Sequence, residues 1–147
     1  VRAIVFAFFL AAIFVYDARY MEVPDRFSLT PIFLLFFIAP ISFFDAVFGG
    51  LVGALFFAVQ YAVSKGAWVG GGDIRIGALL GAALGPILGA LAIFFAYMLG
   101  GAYGSYLLLK KKVHRRTAIA FGTFLSVGGI LSFVFGEAVI EWYRHLV

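Results

Sequence analysis

The sequence predicts an all-α membrane protein, a bundle of about six transmembrane helices with the fourth short and ending at Gly85-Pro86. Three observations carry that expectation. Hydrophobic residues fill 65% of the 147 positions and charged residues 12%, with mean hydropathy +1.11; a water-soluble domain of this size has too little interior to hide so much apolar surface. The apolar residues fall in long, nearly charge-free runs, matching the roughly 20 residues of a bilayer crossing. The charges sit in a few connecting stretches and divide unequally between the two faces that a six-span path creates.

The first segment, 1–16, is apolar apart from Arg2, and it lacks the small-residue cleavage site of a signal peptide. Residues 17–26 (DARYMEVPDR) form the first polar stretch, where Pro24 stops a helix. The second segment covers 28–44, with Thr30-Pro31 as its expected N-cap and first-turn proline. Asp45 turns the chain into the third segment, 46–64, which Lys65-Gly66 ends. The run 74–109 has 36 residues; as one helix it would be about 54 Å long against a hydrocarbon core of about 30 Å. A break at Gly85-Pro86 gives a fourth segment, 74–85, and a fifth, 87–109. The sixth covers 118–135, and the tail GEAVIEWYRHLV has the charge and aromatic content of an interfacial helix end.

This path puts the loops 17–27, 65–75 and 110–117 on one face, with nine of the eleven basic residues; only Arg2 and Arg144 fall on the other. The rich face is the cytoplasmic one by the positive-inside rule, so Asp17 and Asp73 are expected there. Gly49 and Gly53, the series Gly77, Gly81, Gly85 and Gly89, and the pair Gly100 and Gly104 recur every fourth residue, a spacing that lets helix backbones approach closely in lipid.

Composition and motifs exclude several chemistries. The chain has no cysteine, and His114 and His145 have no metal-ligand spacing, so no metal and no cofactor is expected. HExxH and GxSxG are absent, and Gly70-Gly71-Gly72 has no phosphate-loop lysine. The net charge of +4 and the KKKVHRR cluster point to anionic membrane lipid as a partner, not to nucleic acid.

What remains is the pair of aspartates. An ionisable group at membrane depth is costly and marks function by default. Two carboxylates at one depth on different helices can share the work of activating water: one takes a proton while the other donates one. Simpler roles exist, since Asp73 is placed to N-cap the fourth segment and Asp17 to pair with Arg19. The three glycines before Asp73 permit close approach by another backbone.

These features resemble the type IV prepilin peptidases, membrane aspartyl proteases of the Gly-x-Gly-Asp class. Gly70-Gly71-Gly72-Asp73 matches the signature, followed by Ile74-Arg75 where the family has an apolar residue and lysine. DARYMEVPD, residues 17–25, is similar to the family's first-aspartate stretch, including Pro24-Asp25. Asp45-Ala46-Val47-Phe48-Gly49-Gly50 resembles the start of its third segment. Ala120-Phe121-Gly122-Thr123-Phe124-Leu125 resembles a late PFGPF-like motif, with Ala120 and Thr123 standing where it has prolines.

The resemblance covers the whole chain in order. It implies Asp17 and Asp73 as the catalytic pair, with Asp25 as rival for the first position. Gly70, Gly71, Gly72, Arg75, Pro24 and Asp25 are expected around the approaching substrate. It further implies type IV prepilins and pseudopilins as substrates, cut between a basic leader and an apolar helix at the cytoplasmic face of the cell membrane. Residues 1–147 are expected to form one membrane-embedded peptidase domain, without the N-terminal zinc-binding extension associated with N-methylation in many members. A small ion- or proton-coupled carrier using Asp17 and Asp73 and a non-catalytic pilus-assembly component are the alternatives. The sequence sets neither the oligomeric state nor the particular prepilin.

Overall fold

The computed structural model describes residues 2–38, 41–110 and 120–146 of the chain, with the side chains of Arg2 and residues 35–37 left aside. The described residues are helical and contain no strand. The helices are α1 (Arg2–Tyr20), α2 (Asp25–Ile38), α3 (Phe43–Ser64), α4 (Gly71–Leu109) and α5 (Phe121–Leu146). All but α2 are long and apolar enough to cross a membrane. Their outward faces carry Ile4, Phe8, Phe44, Phe48, Leu55, Val63 and Phe135, all exposed, which suits lipid as the surrounding medium and makes this a multi-pass membrane protein.

The helices number five among the described residues, where about six were expected. The reason lies in α4, which is helical on both sides of a single non-helical residue, Gly85, at φ 82° and ψ 176°. One residue suffices to turn the chain because glycine occupies positive φ without a Cβ penalty, while Pro86 needs no intrahelical donor. No loop therefore separates the two limbs. They double back on each other: a methyl built on Gly89 would lie 2.9 Å from the Cα of Gly81. The ring of Phe57 meets the Gly77 position and also stacks on Tyr97, 6.4 Å between centroids. In an unbroken helix those two positions would stand about 30 Å apart.

Other boundaries also shift. The helix α1 continues to Tyr20, so Asp17 lies in its last turn, and Met21 ends it at φ 54°. The helix α2 starts at Asp25, with its acid in the favourable first turn. Pro31 is therefore interior rather than a first-turn residue. At 14 residues, about 21 Å, α2 falls short of a full crossing. The tail expected to lie at the interface continues α5 to Leu146. The start of the sixth segment and the basic cluster after Lys110, including His114, lie outside the described residues.

Packing follows the small residues. The first limb of α4 lies against α3, where Cβ atoms on Gly53 or Gly49 would collide with the backbone at Gly77 and Gly81. The glycine series is thus spent on an internal helix contact. Gly128 of α5 sits against Ala92 and Ala96 of the second limb, and the Ser132 hydroxyl donates to the Leu88 carbonyl at 2.6 Å. The helices α1 and α5 run antiparallel, with Leu10 at Gly129 and Phe6 against Phe133. The core of Leu10, Ile13, Phe57, Ile76, Leu79, Leu80 and Leu125 sits where these helices meet.

Candidate active site

This arrangement brings three separate connecting regions to one end of the bundle. There they surround a cleft of about 1210 Å³. Its walls come from the end of α1 and the following loop (Tyr16, Asp17, Tyr20 to Asp25), from 66–73 with Arg75, and from Ala120-Phe121. Gln60 and Tyr97 also line it. Gln60 stands four residues before the end of α3, about 6 Å along the helix, so the cleft reaches below the helix ends. Phe57, Tyr97 and Phe121 pack together there, with Tyr97 and Phe121 4.9 Å apart.

Both Asp17 and Asp73 line the cleft and are otherwise buried, at 6% and 8% exposure. They lie within electrostatic reach of one another. The sequence puts Asp73 at the start of an apolar helix, and the structure makes it the third residue of α4, with Gly70 as the cap. Its carboxylate accepts the Gly70 amide at 2.8 Å, and its own amide donates to the Gly70 carbonyl at 3.1 Å. Asp73 therefore satisfies a first-turn donor from inside the helix rather than capping it from outside.

Asp17 is held from across the fold. The Thr123 amide donates to Asp17 Oδ2 at 2.7 Å and the Thr123 hydroxyl to the same oxygen at 3.2 Å. Gly122 supplies a further backbone donor. Asp17 occupies the place of a capping side chain for α5, although it comes from α1. Arg19 is not its partner: its guanidinium lies over the Tyr20 ring, 5.8 Å from the centroid. Thr123 was noted in the sequence only as a substitution for proline. A proline there could offer neither donor.

Asp25, the rival for the first position, is differently placed. Its side chain is 69% exposed and forms an ion pair with Arg75. This pair ties the start of α2 to the first turns of α4 along the rim of the cleft, next to Pro24. The three glycines line the same wall. Among them, a Cβ on Gly71 would meet nothing within 4 Å, and one on Gly72 would make ordinary contact with Val23 at 3.7 Å. Gly71 thus lines the cleft with open space where a side chain would stand.

Two polar residues went unnoticed in the sequence. The Tyr97 hydroxyl donates to Gln60 Oε1 at 2.8 Å, and Tyr97 lies within electrostatic reach of Asp73. A lone polar residue in an apolar run was the only available signal. Among the described residues no group of three or more His, Cys, Asp and Glu side chains is arranged to hold a metal.

The model of the type IV leader peptidase family matches residues 4–105. The chain belongs to this family. It is similar to the prepilin leader peptidase/N-methyltransferase of Bacillus subtilis (strain 168), at 36% identity over 148 residues, covering 96% of this chain and 58% of the relative. The proteins of the same description from Aeromonas salmonicida (strain A449) and Aeromonas hydrophila are 27% and 28% identical, covering 99% and 96% of this chain. The chain spans 53% and 51% of those two relatives, so it matches roughly half the length of such proteins. No solved structure matches it.

Proposed function

We propose that the protein is an aspartic endopeptidase that removes the basic leader from type IV prepilins and pseudopilins at the cytoplasmic face of the cell membrane. The observation that carries this reading is the convergence of Asp17 and Asp73, both buried and on different helices, in one cleft at the end of the bundle. In this mechanism the two carboxyl groups hold one proton between them. The ionised group takes a proton from a water bound between them, and the resulting hydroxide attacks the leader carbonyl carbon. The protonated group gives its proton to the carbonyl oxygen. The tetrahedral species collapses as the leaving amine takes up a proton, and the dyad returns to its starting charge without a covalent enzyme intermediate.

The open side of Gly71 supports a substrate backbone laid along 70–72, and the exposed Glu22 adds a negative rim for a basic leader. Substrate docking along Gly77 and Gly81 of α4, by contrast, conflicts with their burial against Gly53 and Gly49 of α3. A carrier is less well supported, because a transport path calls for carboxylates near mid-span, whereas these occupy the last turn of α1 and the first turn of α4.

The test is cleavage of a prepilin by the purified protein in detergent, with the product's new N-terminus read by mass spectrometry. The proposal predicts a cut between the leader and the apolar helix, lost in Asp73→Asn. An intact prepilin with wild-type protein, together with proton flux in liposomes that depends on Asp73, would favour the carrier.

A further inference from the structure

We propose that Thr123 is a positioning residue for the reaction, fixing Asp17 Oδ2 so that the other carboxylate oxygen is offered to the water in the cleft. The inference rests on the reading of Asp17 and Asp73 as the reacting pair. Asp17 sits on α1, and among the described residues the hydrogen bonds to its carboxylate come from α5. The orienting groups come 106 residues later: the Thr123 amide at 2.7 Å, the Thr123 hydroxyl at 3.2 Å, and the Gly122 backbone. All are neutral, and no lysine, arginine or histidine pairs with Asp17 among the described residues. That matters chemically. Amide and hydroxyl donors favour the ionised carboxylate, as a cation would, but they add no opposing charge and they fix its direction.

The space around the carboxylate is shaped to the same end. A Cβ on Gly122 would lie 2.9 Å from Asp17 Oδ2 and 3.0 Å from its Cγ, so the carboxylate reaches the α5 amides only because residue 122 has no side chain. The backbone of Gly122 is itself pinned from behind, since the Ser126 hydroxyl donates to its carbonyl at 2.9 Å. With both Thr123 bonds on one oxygen, the carboxylate plane is fixed relative to Asp73. This is the kind of orientation on which near-attack geometry depends.

The experiment is steady-state prepilin cleavage by the membrane-reconstituted protein, with four substitutions compared in one assay. Thr123→Val keeps the shape and the amide but loses the hydroxyl. Thr123→Pro loses both donors at the third residue of α5, a first-turn position that tolerates proline. We expect kcat to fall about 5-fold in Thr123→Val and about 50-fold in Thr123→Pro, with KM unchanged. Thr123→Ser, which restores the hydroxyl without the methyl, should recover most of the Val loss. Unchanged kcat in Thr123→Pro would overturn the proposal. So would a rise in KM without a fall in kcat, or equal losses in Thr123→Ser and Thr123→Val, which would mean that bulk rather than hydrogen bonding matters. Asp17→Asn separates the two levels of argument: full activity there removes the peptidase mechanism itself, whereas an inactive Asp17→Asn beside a fully active Thr123→Pro removes only the role given to Thr123.

Discussion

The first turns of α4 and α5 each hold an aspartate, and they do so in opposite ways. At α4 the carboxylate belongs to the helix it serves, and Asp73 reaches back three residues to the Gly70 amide. At α5 it belongs to another helix, and Asp17 reaches across from α1 to Thr123. Both arrangements use donors that every helix start leaves unsatisfied. The local one fixes Asp73 as soon as α4 forms. The distant one fixes Asp17 only when α1 and α5 are packed antiparallel in register, so the geometry of the pair is a tertiary property. The protein thus assembles its site from one preformed half and one half that depends on folding.

That contrast can be broken by substitution. Among substitutions that leave both aspartates in place, the largest effect is expected from Gly122→Ala, because the new methyl would occupy the space of the Asp17 carboxylate. Displacement of a reacting group by about 1 Å can cost about 100-fold in rate, and prepilin cleavage by purified protein would measure it. The local half should be less vulnerable. Gly70→Pro removes the one amide that Asp73 accepts, at a residue whose φ of −85° and ψ of 163° lie near proline's range. We expect a loss of about 10-fold in kcat in the same assay.

Packing far from the cleft should move stability instead. In Gly53→Ala the new Cβ would collide with the Gly77 backbone and push α3 from α4. Overpacking of this kind costs about 1–3 kcal/mol, visible as a lower melting temperature in detergent. The smallest effect belongs to the rim. Arg75→Ala breaks an exposed ion pair with Asp25, and such pairs contribute about 0–1 kcal/mol. Its cleavage rate should stay within about threefold of wild type, and a drop of a hundredfold would mean that Arg75 touches the substrate.

The same local-versus-distant division explains how much of the molecule could be read from the sequence. The GGGD stretch, the helix-free connection at Pro24 and the bend at Gly85-Pro86 are encoded by neighbouring residues, and all were legible. So were the apolar helices, since lipid tolerates little else. The helix count was less so, because Gly85 turns the chain without a loop. Pro31 misled in the other direction. It looked like a helix start, but α2 had already begun at Asp25, with the Ser28 hydroxyl directed to the Asp25 carbonyl at 3.4 Å.

Within the site, the aspartates and the glycines announced themselves, and the groups that orient them did not. Thr123 donates to a residue more than a hundred positions away, and no local pattern marks such a bond. Tyr97 and Gln60 sit in apolar runs where one polar residue has no periodic partner. The glycine series carried a true packing signal without naming its target. The structure supplies that target: Gly49 and Gly53 of α3 pack on Gly81 and Gly77.

In the proposed mechanism Asp17, not Asp25, works with Asp73. The most direct measurement is prepilin cleavage in membranes by Asp17→Asn, Asp73→Asn and Asp25→Asn, expressed to equal levels and assayed side by side. The first two should lose at least about a thousandfold in rate, within the range of general acid–base catalysis, while Asp25→Asn stays within about threefold of wild type. An inactive Asp25→Asn beside an active Asp17→Asn would contradict that mechanism.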